Sequence, residues 1–357
     1  MRLTTIRAMS QNGRQEVKSP MMREGILSAI GNTPLIRLNR ILKNISFQLY
    51  AKLEYLNPGG SMKDRPALCI LEHALEAGFL KPGWVVIESS SGNMGIGLAQ
   101  ACSSLGLKFI CVVDPKTTQQ NIRLLKVYGA RVDIVTEPDL ATGEYLQARL
   151  NHVQFLLRSI KNSFWPDQYA NLNNPLAHHQ TMHEIVKALE GKVDYLFCAT
   201  STCGTLRGCV EYIKKHELST KIYAVDAVGS VIFGGQKGKR MIPGHGASIR
   251  PALYEDGLVD KCIHVTDMDC VKGCRRLVGE EAILAGGSSG AVMAAVDYVK
   301  EIIPPGSNCA LIFPDRGERY LDTVYSDEWV RTYIGEVVNQ NRLAEIGGKP
   351  ISDRLIA

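Results

Sequence analysis

Asn57-Pro58-Gly59-Gly60-Ser61-Met62-Lys63-Asp64-Arg65 is a Pro-Gly-Gly turn that runs into a serine and then into an apolar pattern at Pro66, Ala67, Leu68, Ile70, Leu71, Ala74 and Leu75. Ser61 reads as an N-cap and Pro66 as a first-turn proline, so Lys63 stands at the opening of a helix. A lysine there is electrostatically unusual. The positive end of the helix dipole disfavours a further cation, and Arg65 crowds it in the same direction. Both effects favour the neutral amine, the nucleophile that forms a Schiff base with an aldehyde. Single lysines are most often solvated surface groups, so the weight of this reading comes from the rest of the chain.

Three further loops share one design. Glu88-Ser89-Ser90-Ser91-Gly92-Asn93-Met94-Gly95 follows the apolar run Trp84–Ile87 and precedes a helical pattern at Ile96, Leu98, Ala99, Ala101 and Leu105. Thr200-Ser201-Thr202-Cys203-Gly204-Thr205 follows Tyr195–Ala199 and opens another helix. Ala285-Gly286-Gly287-Ser288-Ser289-Gly290-Ala291 opens a third, continued by Val292, Met293, Ala294 and Val296. Small-residue loops at helix N-termini expose backbone N–H groups and bind anions.

Between these loops, short apolar runs alternate with helical patterns. Phe47–Glu54, Trp84–Ile87, Phe109–Val113, Val132–Val135, Tyr195–Ala199, Ile222–Val225, Lys261–Val265 and Cys309–Phe313 read as strands. Helices are expected at Ile96–Leu105, at Thr118–Tyr128 and around Tyr145–Leu156. That alternation marks an α/β fold with parallel sheets covered by helices on both faces.

The chain has 357 residues, 45% of them hydrophobic, enough for a large core and one or two domains. No apolar run reaches membrane-spanning length, and the N-terminus lacks the apolar segment of a secretory signal. A net charge of +5 with no basic run interleaved with aromatics argues against nucleic acid. The ten cysteines lie mostly in strand or helix patterns without a C-x-x-C, and read as buried reduced thiols of a cytoplasmic protein. His178, His179 and His183 place an i, i+4 pair on a helix, but a third ligand is missing; a structural role is expected and no metal.

The reactive-lysine segment, the three loops and Gly31-Asn32-Thr33-Pro34-Leu35 together resemble the fold-type II pyridoxal-phosphate (PLP) enzymes of the cysteine synthase and cystathionine β-synthase group, over roughly Ile26 to Trp329. Within that group the resemblance is strongest to the siderophore-pathway branch that joins O-phospho-L-serine to L-glutamate. The resemblance implies two three-layer α/β domains with PLP in the cleft between them. The larger would comprise residues 21–53 and 165–330 and the smaller, mobile one residues 54–164. Residues 1–20 are expected to be a flexible extension, with Met21 or Met22 as alternative starts, and residues 331–357 a polar tail of interface or disorder.

Carried over residue by residue, the resemblance makes Lys63 the PLP lysine and the base that removes the substrate α-proton. Asn93 would donate to the 3′ oxygen of PLP. Ser201, Thr202, Cys203, Gly204 and Thr205 would form the phosphate loop, in which Cys203 replaces a customary glycine. Ser288, preferred to Ser289 by alignment alone, would meet the pyridine nitrogen, and Asp315 in Pro314-Asp315-Arg316-Gly317-Glu318-Arg319-Tyr320 would support it. A neutral hydroxyl at the ring nitrogen favours β-elimination. Ser90, Ser91, Gly92 and Met94, with Gln168, are expected around the substrate α-carboxylate; Met94 departs from the threonine of cysteine synthases. The insert Asp226–Arg240 with Pro243–Ser248 is flexible and basic, and Ser230, Lys237, Lys239 and Arg240 in it are candidates for selecting an acidic substrate. The resulting expectation is a cytoplasmic, homodimeric β-replacement synthase acting on small amino acids. The alternatives are a cysteine synthase using sulfide and a catalytically silent regulatory member. A Rossmann oxidoreductase is disfavoured, because no G-x-G-x-x-G follows a strand.

Overall fold

The computed structural model describes residues 24–335. The expected extension at 1–20 and the tail beyond 335 lie outside the described residues. In chain order the elements begin with β1 (Leu35–Leu38), β2 (Gln48–Leu53), α1 (Asp64–Glu76), β3 (Val85–Ser89), α2 (Asn93–Leu105) and β4 (Lys108–Val113). They continue with α3 (Gln119–Val127), β5 (Arg131–Ile134), α4 (Tyr145–Ser159), β6 (Ser163–Phe164), α5 (Asn173–Ala188), β7 (Tyr195–Ala199) and α6 (Gly204–Lys215). Last come β8 (Lys221–Ala227), β9 (Lys261–Val265), α7 (Asp267–Glu281), α8 (Gly287–Val299), β10 (Asn308–Phe313) and α9 (Asp327–Tyr333), so the expected tail starts inside a helix.

The strands form two sheets. A six-stranded sheet runs β1-β2-β10-β7-β8-β9, with only β1 antiparallel to its neighbour; a four-stranded sheet runs β5-β4-β3-β6, all parallel. Strand periodicity assigns each face its own core. Phe197, Val225, Leu311 and Phe313 enter the core shared with α7 and α8. Their neighbours Leu196, Ala224, Ala310 and Ile312 enter the opposite core with α5 and α6. In the smaller sheet, Val86, Phe109 and Cys111 face α1 and α2, while Ile87, Ile110 and Val112 face Val153 and Leu156 of α4. Strands buried on both faces explain why they read as continuous apolar runs rather than alternating ones. We propose the division at 53/54 and 164/165 on these two sheets.

All ten cysteines are free, eight of them buried, as expected; Cys69 and Cys262 are partly exposed. No helix among the described residues is long and apolar enough to cross a membrane. The N-cap expectation for Ser61 is corrected. The α1 helix starts at Asp64 with Lys63 as its N-cap, and no side chain caps it. Ser61 instead pairs through its backbone with Asp315, 254 positions away in the chain, so a tertiary bridge overrides the local capping preference.

Candidate active site

Three of the four segments singled out in the sequence lie where strands give way to helices, the ends of a parallel sheet at which ligands bind, and the fourth, Ala285–Ala291, opens α8 directly after α7. The segment Pro314–Gly317 stitches two of them together. Met62 N–H donates to the Pro314 carbonyl (2.8 Å) and Arg316 N–H to the Gly60 carbonyl (3.2 Å), which fixes the lysine loop. Gly286 N–H donates to the Asp315 carbonyl (2.9 Å) and Gly317 N–H to the Leu284 carbonyl (3.2 Å), which fixes the start of α8. Lys63 and Ser288 are thus registered on one short piece of backbone.

Lys63 is half-buried and makes no ion pair among the described residues. Burial lowers its pKa, opposed by its neighbours Cys198, Cys203 and Asp315. Arg65 does not crowd it, contrary to the sequence reading. Its guanidinium is taken up by Glu54 (2.7 Å) and Glu184 (2.7 Å), and Glu184 also meets Lys52 (2.5 Å). Desolvation, not a cationic neighbour, therefore favours the neutral amine.

Asp64, next to Lys63, carries the opposite burden. Its Oδ2 accepts from Gly59 N–H, its Oδ1 is buried without a partner, and burial pushes its pKa up to about 7. A carboxyl with a raised folded pKa contributes stability that is fully present below its unfolded value near 3.8 and is lost as pH rises through about 7. Asp64 should therefore add a declining contribution to the wild-type Tm between pH 4 and 8. In Asp64→Asn that decline should shrink, by an amount equivalent to roughly 2–4 kcal/mol at most. Thermal melts across that range check it, and parallel profiles for the two proteins would refute it.

Asn93 opens α2 and is clamped by groups from the far end of the chain. Its Nδ2 donates to Asp315 Oδ2 (2.7 Å), and its Oδ1 accepts from Arg319, which also donates to the Gly59 carbonyl. Tyr320 donates its hydroxyl to the same Asp315 oxygen. Burial raises the Asp315 pKa, while Tyr320, Asn93 and Arg319 oppose it. Asp315 thus gives one carboxylate oxygen to Asn93 and Tyr320, while its other oxygen lies against Gly286 at the start of α8 without a hydrogen bond to Ser288. Arg319 and Tyr320 were read only as part of a charged, compact run.

The loop before α6 holds its expected residues at a helix N-terminus. Cys203 is left-handed (φ 64), the conformation a glycine would take there, and its side chain packs with Ile232 and Leu253. Burial pushes its thiol up to about 12. Thr202 Oγ1 accepts from Gly204 N–H and from Asn174 Nδ2 (3.4 Å each), and Ser201 is part-exposed. Thr205 Oγ1 lies 3.2 Å from Nε2 of His178, whose Nδ1 meets Thr181 Oγ1 (3.2 Å). His178 is fully buried, and burial together with Lys63 holds its pKa well below the ordinary imidazole value. His179 pairs with Glu211 and His183 with Tyr212, so the three histidines have separate partners. A Cβ at Gly204 would stand 2.2 Å from Asn174 Oδ1. Gly204→Ala should therefore displace the loop and weaken PLP binding by at least ~10-fold, read by titrating apoprotein with PLP. An unchanged dissociation constant would remove this loop from the phosphate assignment.

The other expected residues divide. Ser90 is buried and shapes the β3–α2 loop, its Oγ accepting from Gly95 N–H (2.9 Å) and Gly92 N–H (3.4 Å). Ser91 and Gly92 are part-exposed at that loop. Met94 is buried in the core of the smaller sheet, so its side chain does not line the cleft; a residue one step into the helix points inward. Gln168 donates to the Ser89 carbonyl (3.4 Å) and accepts at its own carbonyl from Asn174 (2.7 Å), tying the β3 loop to α5. Glu88, buried beside it, accepts from Ser89 N–H, Trp165 and Gln168 N–H, and burial raises its pKa to about 7. Nothing in the sequence distinguished Glu88 from an ordinary strand-end residue. Ser230 is fully buried and accepts from Ala247 N–H (3.0 Å), so it braces the insert rather than presenting its hydroxyl. Lys237 pairs with Glu144 (2.5 Å) at the surface. Arg240 donates to the His245 carbonyl (3.1 Å) and keeps a buried Nε without a partner.

The residues fit PLP. Lys63 lies within electrostatic reach of Asp315 and of Cys203 in the α6 loop. The buried Ser289 Oγ and Asp315 Oδ1 at the α8 end lack partners. The Gly286 position has no room for a side chain, a Cβ there meeting Asp315 Oδ1 at 2.0 Å. A helix N-terminus for a phosphate, an amine and a polar floor are all supplied. A family model described as pyridoxal-phosphate dependent enzyme matches residues 26–315.

The chain belongs to the pyridoxal-phosphate dependent enzyme family.

Its cofactor is PLP, its fold is fold-type II, and it is a β-replacement type of enzyme, similar to cysteine synthases and cystathionine β-synthases. Among solved structures it resembles a hydrogen sulfide-producing enzyme from Fusobacterium nucleatum, at 34% identity over 84% of this chain and 100% of that one, with a TM-score of 0.79. An O-acetylserine-dependent cystathionine β-synthase from Helicobacter pylori matches at 30% identity over 86% and 100%, TM-score 0.80. An O-ureido-L-serine synthase matches at 28% identity over 90% and 99%, TM-score 0.78.

Proposed function

We propose that the chain is an N-(2-amino-2-carboxyethyl)-L-glutamate synthase, which joins O-phospho-L-serine to L-glutamate and releases phosphate, as a homodimer in the cytoplasm. Bound at Lys63, PLP supplies the electron sink that lets the α-proton and β-substituent of the donor leave. The chain's own residues do the rest. Lys63, its pKa lowered by burial, moves the proton at Cα. The Ser90–Gly92 loop and the α2 N-terminus hold the donor carboxylate, and Asn93, set by Asp315 and Arg319, orients the ring from one side. Ser288 offers a neutral hydroxyl to the ring nitrogen. The substrate class rests on one observation: Arg240 of the insert has a buried Nε with no protein partner, a guanidinium donor available to an acidic substrate.

Purified protein should release more than one equivalent of phosphate from O-phospho-L-serine only when L-glutamate is also present, and turn over O-acetyl-L-serine at least ~10-fold more slowly. Equal or faster turnover of O-acetyl-L-serine would overturn the donor. Efficient use of sulfide in place of L-glutamate would establish the second reading, a cysteine synthase, whose O-acetylserine donor the O-acetylserine-dependent neighbour supports.

A further inference from the structure

Outside the PLP cleft, three potential metal ligands meet on one face of the larger sheet. Asp226 is the penultimate residue of β8, and Cys262 and His264 stand two apart on β9, so they project to the same side. Asp226 and His264 are register partners across the two strands. The carboxylate, thiol and imidazole ligand atoms lie within 4.8 Å of one another, with 4.0 Å between His264 Nε2 and Asp226 Oδ2 and 4.0 Å between Cys262 Sγ and His264 Nε2. A tetrahedral zinc ion separates such ligands by roughly 3.3–3.6 Å, so the two 4.0 Å separations close by about half an ångström and the Asp226–Cys262 separation by at most about 1.3 Å.

The second observation is Asp226 itself. It is fully buried, its Oδ1 accepts from Ala227 N–H (2.9 Å), the Ser230 and Thr200 hydroxyls stand near enough to the carboxylate to oppose the upward push of burial on its pKa, and its Oδ2, which faces His264, has no well-formed hydrogen bond. A buried carboxylate oxygen without a partner costs free energy unless something positive completes it. A distant imidazole at 4.0 Å does not. The site is also reachable, because Cys262 and His264 are both partly exposed. Gly235 of the insert approaches from above, where an added Cβ would be 3.7 Å from His264 Nε2.

We propose that Asp226, Cys262 and His264 form a binding site for one borderline-soft divalent cation of the zinc type, with an open fourth position. Binding replaces the thiol proton of Cys262 by the metal and releases that proton to solvent. Thiolate and imidazole select zinc or cobalt over magnesium or calcium, which require oxygen ligands. The cation would tie β9 to the strand end from which the insert leaves, and it would sit close behind Cys203 of the phosphate loop, which lies in electrostatic reach of both Asp226 and Cys262. The site stands independently of the substrate assignment.

The test uses full-length holoenzyme, exposed to zinc chloride, desalted, and assayed for metal content and Tm, with cobalt chloride as a spectroscopic probe. Wild type should retain one zinc per chain, gain Tm with zinc, and show thiolate-to-cobalt charge transfer. Cys262→Ser and His264→Gln should each bind zinc at least ~10-fold more weakly and lose the charge-transfer band. Cys69→Ser, at the other partly exposed thiol, should behave as wild type. Far-ultraviolet circular dichroism identifies a variant that fails to fold, and the remaining variant then carries the comparison. Absence of zinc from wild type, or equal binding by wild type and both ligand variants, overturns the site.

Discussion

Lys63→Ala is expected to lower turnover by at least ~1,000-fold and to abolish the visible absorbance of covalently held cofactor, while leaving Tm within about 2 °C of wild type or above it. The chemical loss follows from position. The amine sits at the α1 N-terminus, half-buried, with its pKa lowered by burial, and no carboxylate neutralises it. The small stability effect has the same origin, since removing an amine without an ion pair leaves no buried charge behind. Lys52 makes the contrast. It is more deeply buried, but its Nζ is held by Glu184 and the Thr33 carbonyl. Lys52→Met should leave the cofactor absorbance intact and lower Tm instead. Absorbance spectra and melts of the two variants separate the roles. Retained absorbance in Lys63→Ala, or its loss in Lys52→Met, would move the covalent attachment elsewhere.

The difference between these lysines was only half legible in the sequence. The glycine turn and helix onset around Lys63 are local signals, as are the strands β7 and β9, whose apolar runs match the observed boundaries residue for residue. What depends on distant partners did not show. Strand β1 has four residues and β6 two, too short for a periodic pattern, and both exist because a neighbouring edge accepts them. Ser61 has the composition of a cap but is diverted into a bridge to Asp315. The clamp on Asn93 brings together residues 222 and 226 positions apart, a distance no local spacing encodes. Met94 shows the converse. Sharing a loop with cleft residues suggested a shared destination, yet one position further on, the first turn of α2 carries its side chain into the core. His178 adjoins the His179/His183 pair and has the right residue type for a ligand, yet burial against Thr205 gives it a quite different task.

Arg65→Met should produce the largest loss of stability, about 3–5 kcal/mol, or a fall in Tm of roughly 6–20 °C. Arg65 is 5% exposed, and its two forks reach Glu54, which is fully buried, and Glu184. Methionine keeps the aliphatic stem but not the guanidinium, and leaves Lys52 as the remaining cation beside both carboxylates. The penalty is therefore the cost of uncompensated buried charge, and it should depend on pH. Burial acts to raise the Glu184 pKa, but the Arg65 and Lys52 contacts outweigh it and hold the carboxyl down to about 2. A depressed folded pKa contributes stability present above the unfolded value near 4.5 and lost as pH falls through about 2. In Arg65→Met that depression is largely relieved, so the gap in Tm between variant and wild type should be widest at neutral pH and narrow towards pH 4. Adding Glu184→Gln to Arg65→Met should recover part of the loss, because it removes one stranded charge. Turnover should fall as well, since Arg65 anchors the first turn of the helix that Lys63 caps to β2 and α5. Lys237→Ala, at an exposed pair, supplies the baseline, with an expected change under about 1 kcal/mol. If Arg65→Met cost no more than Lys237→Ala, or its deficit were flat from pH 7 to 4, the buried network would not be what sets the reactive lysine in place.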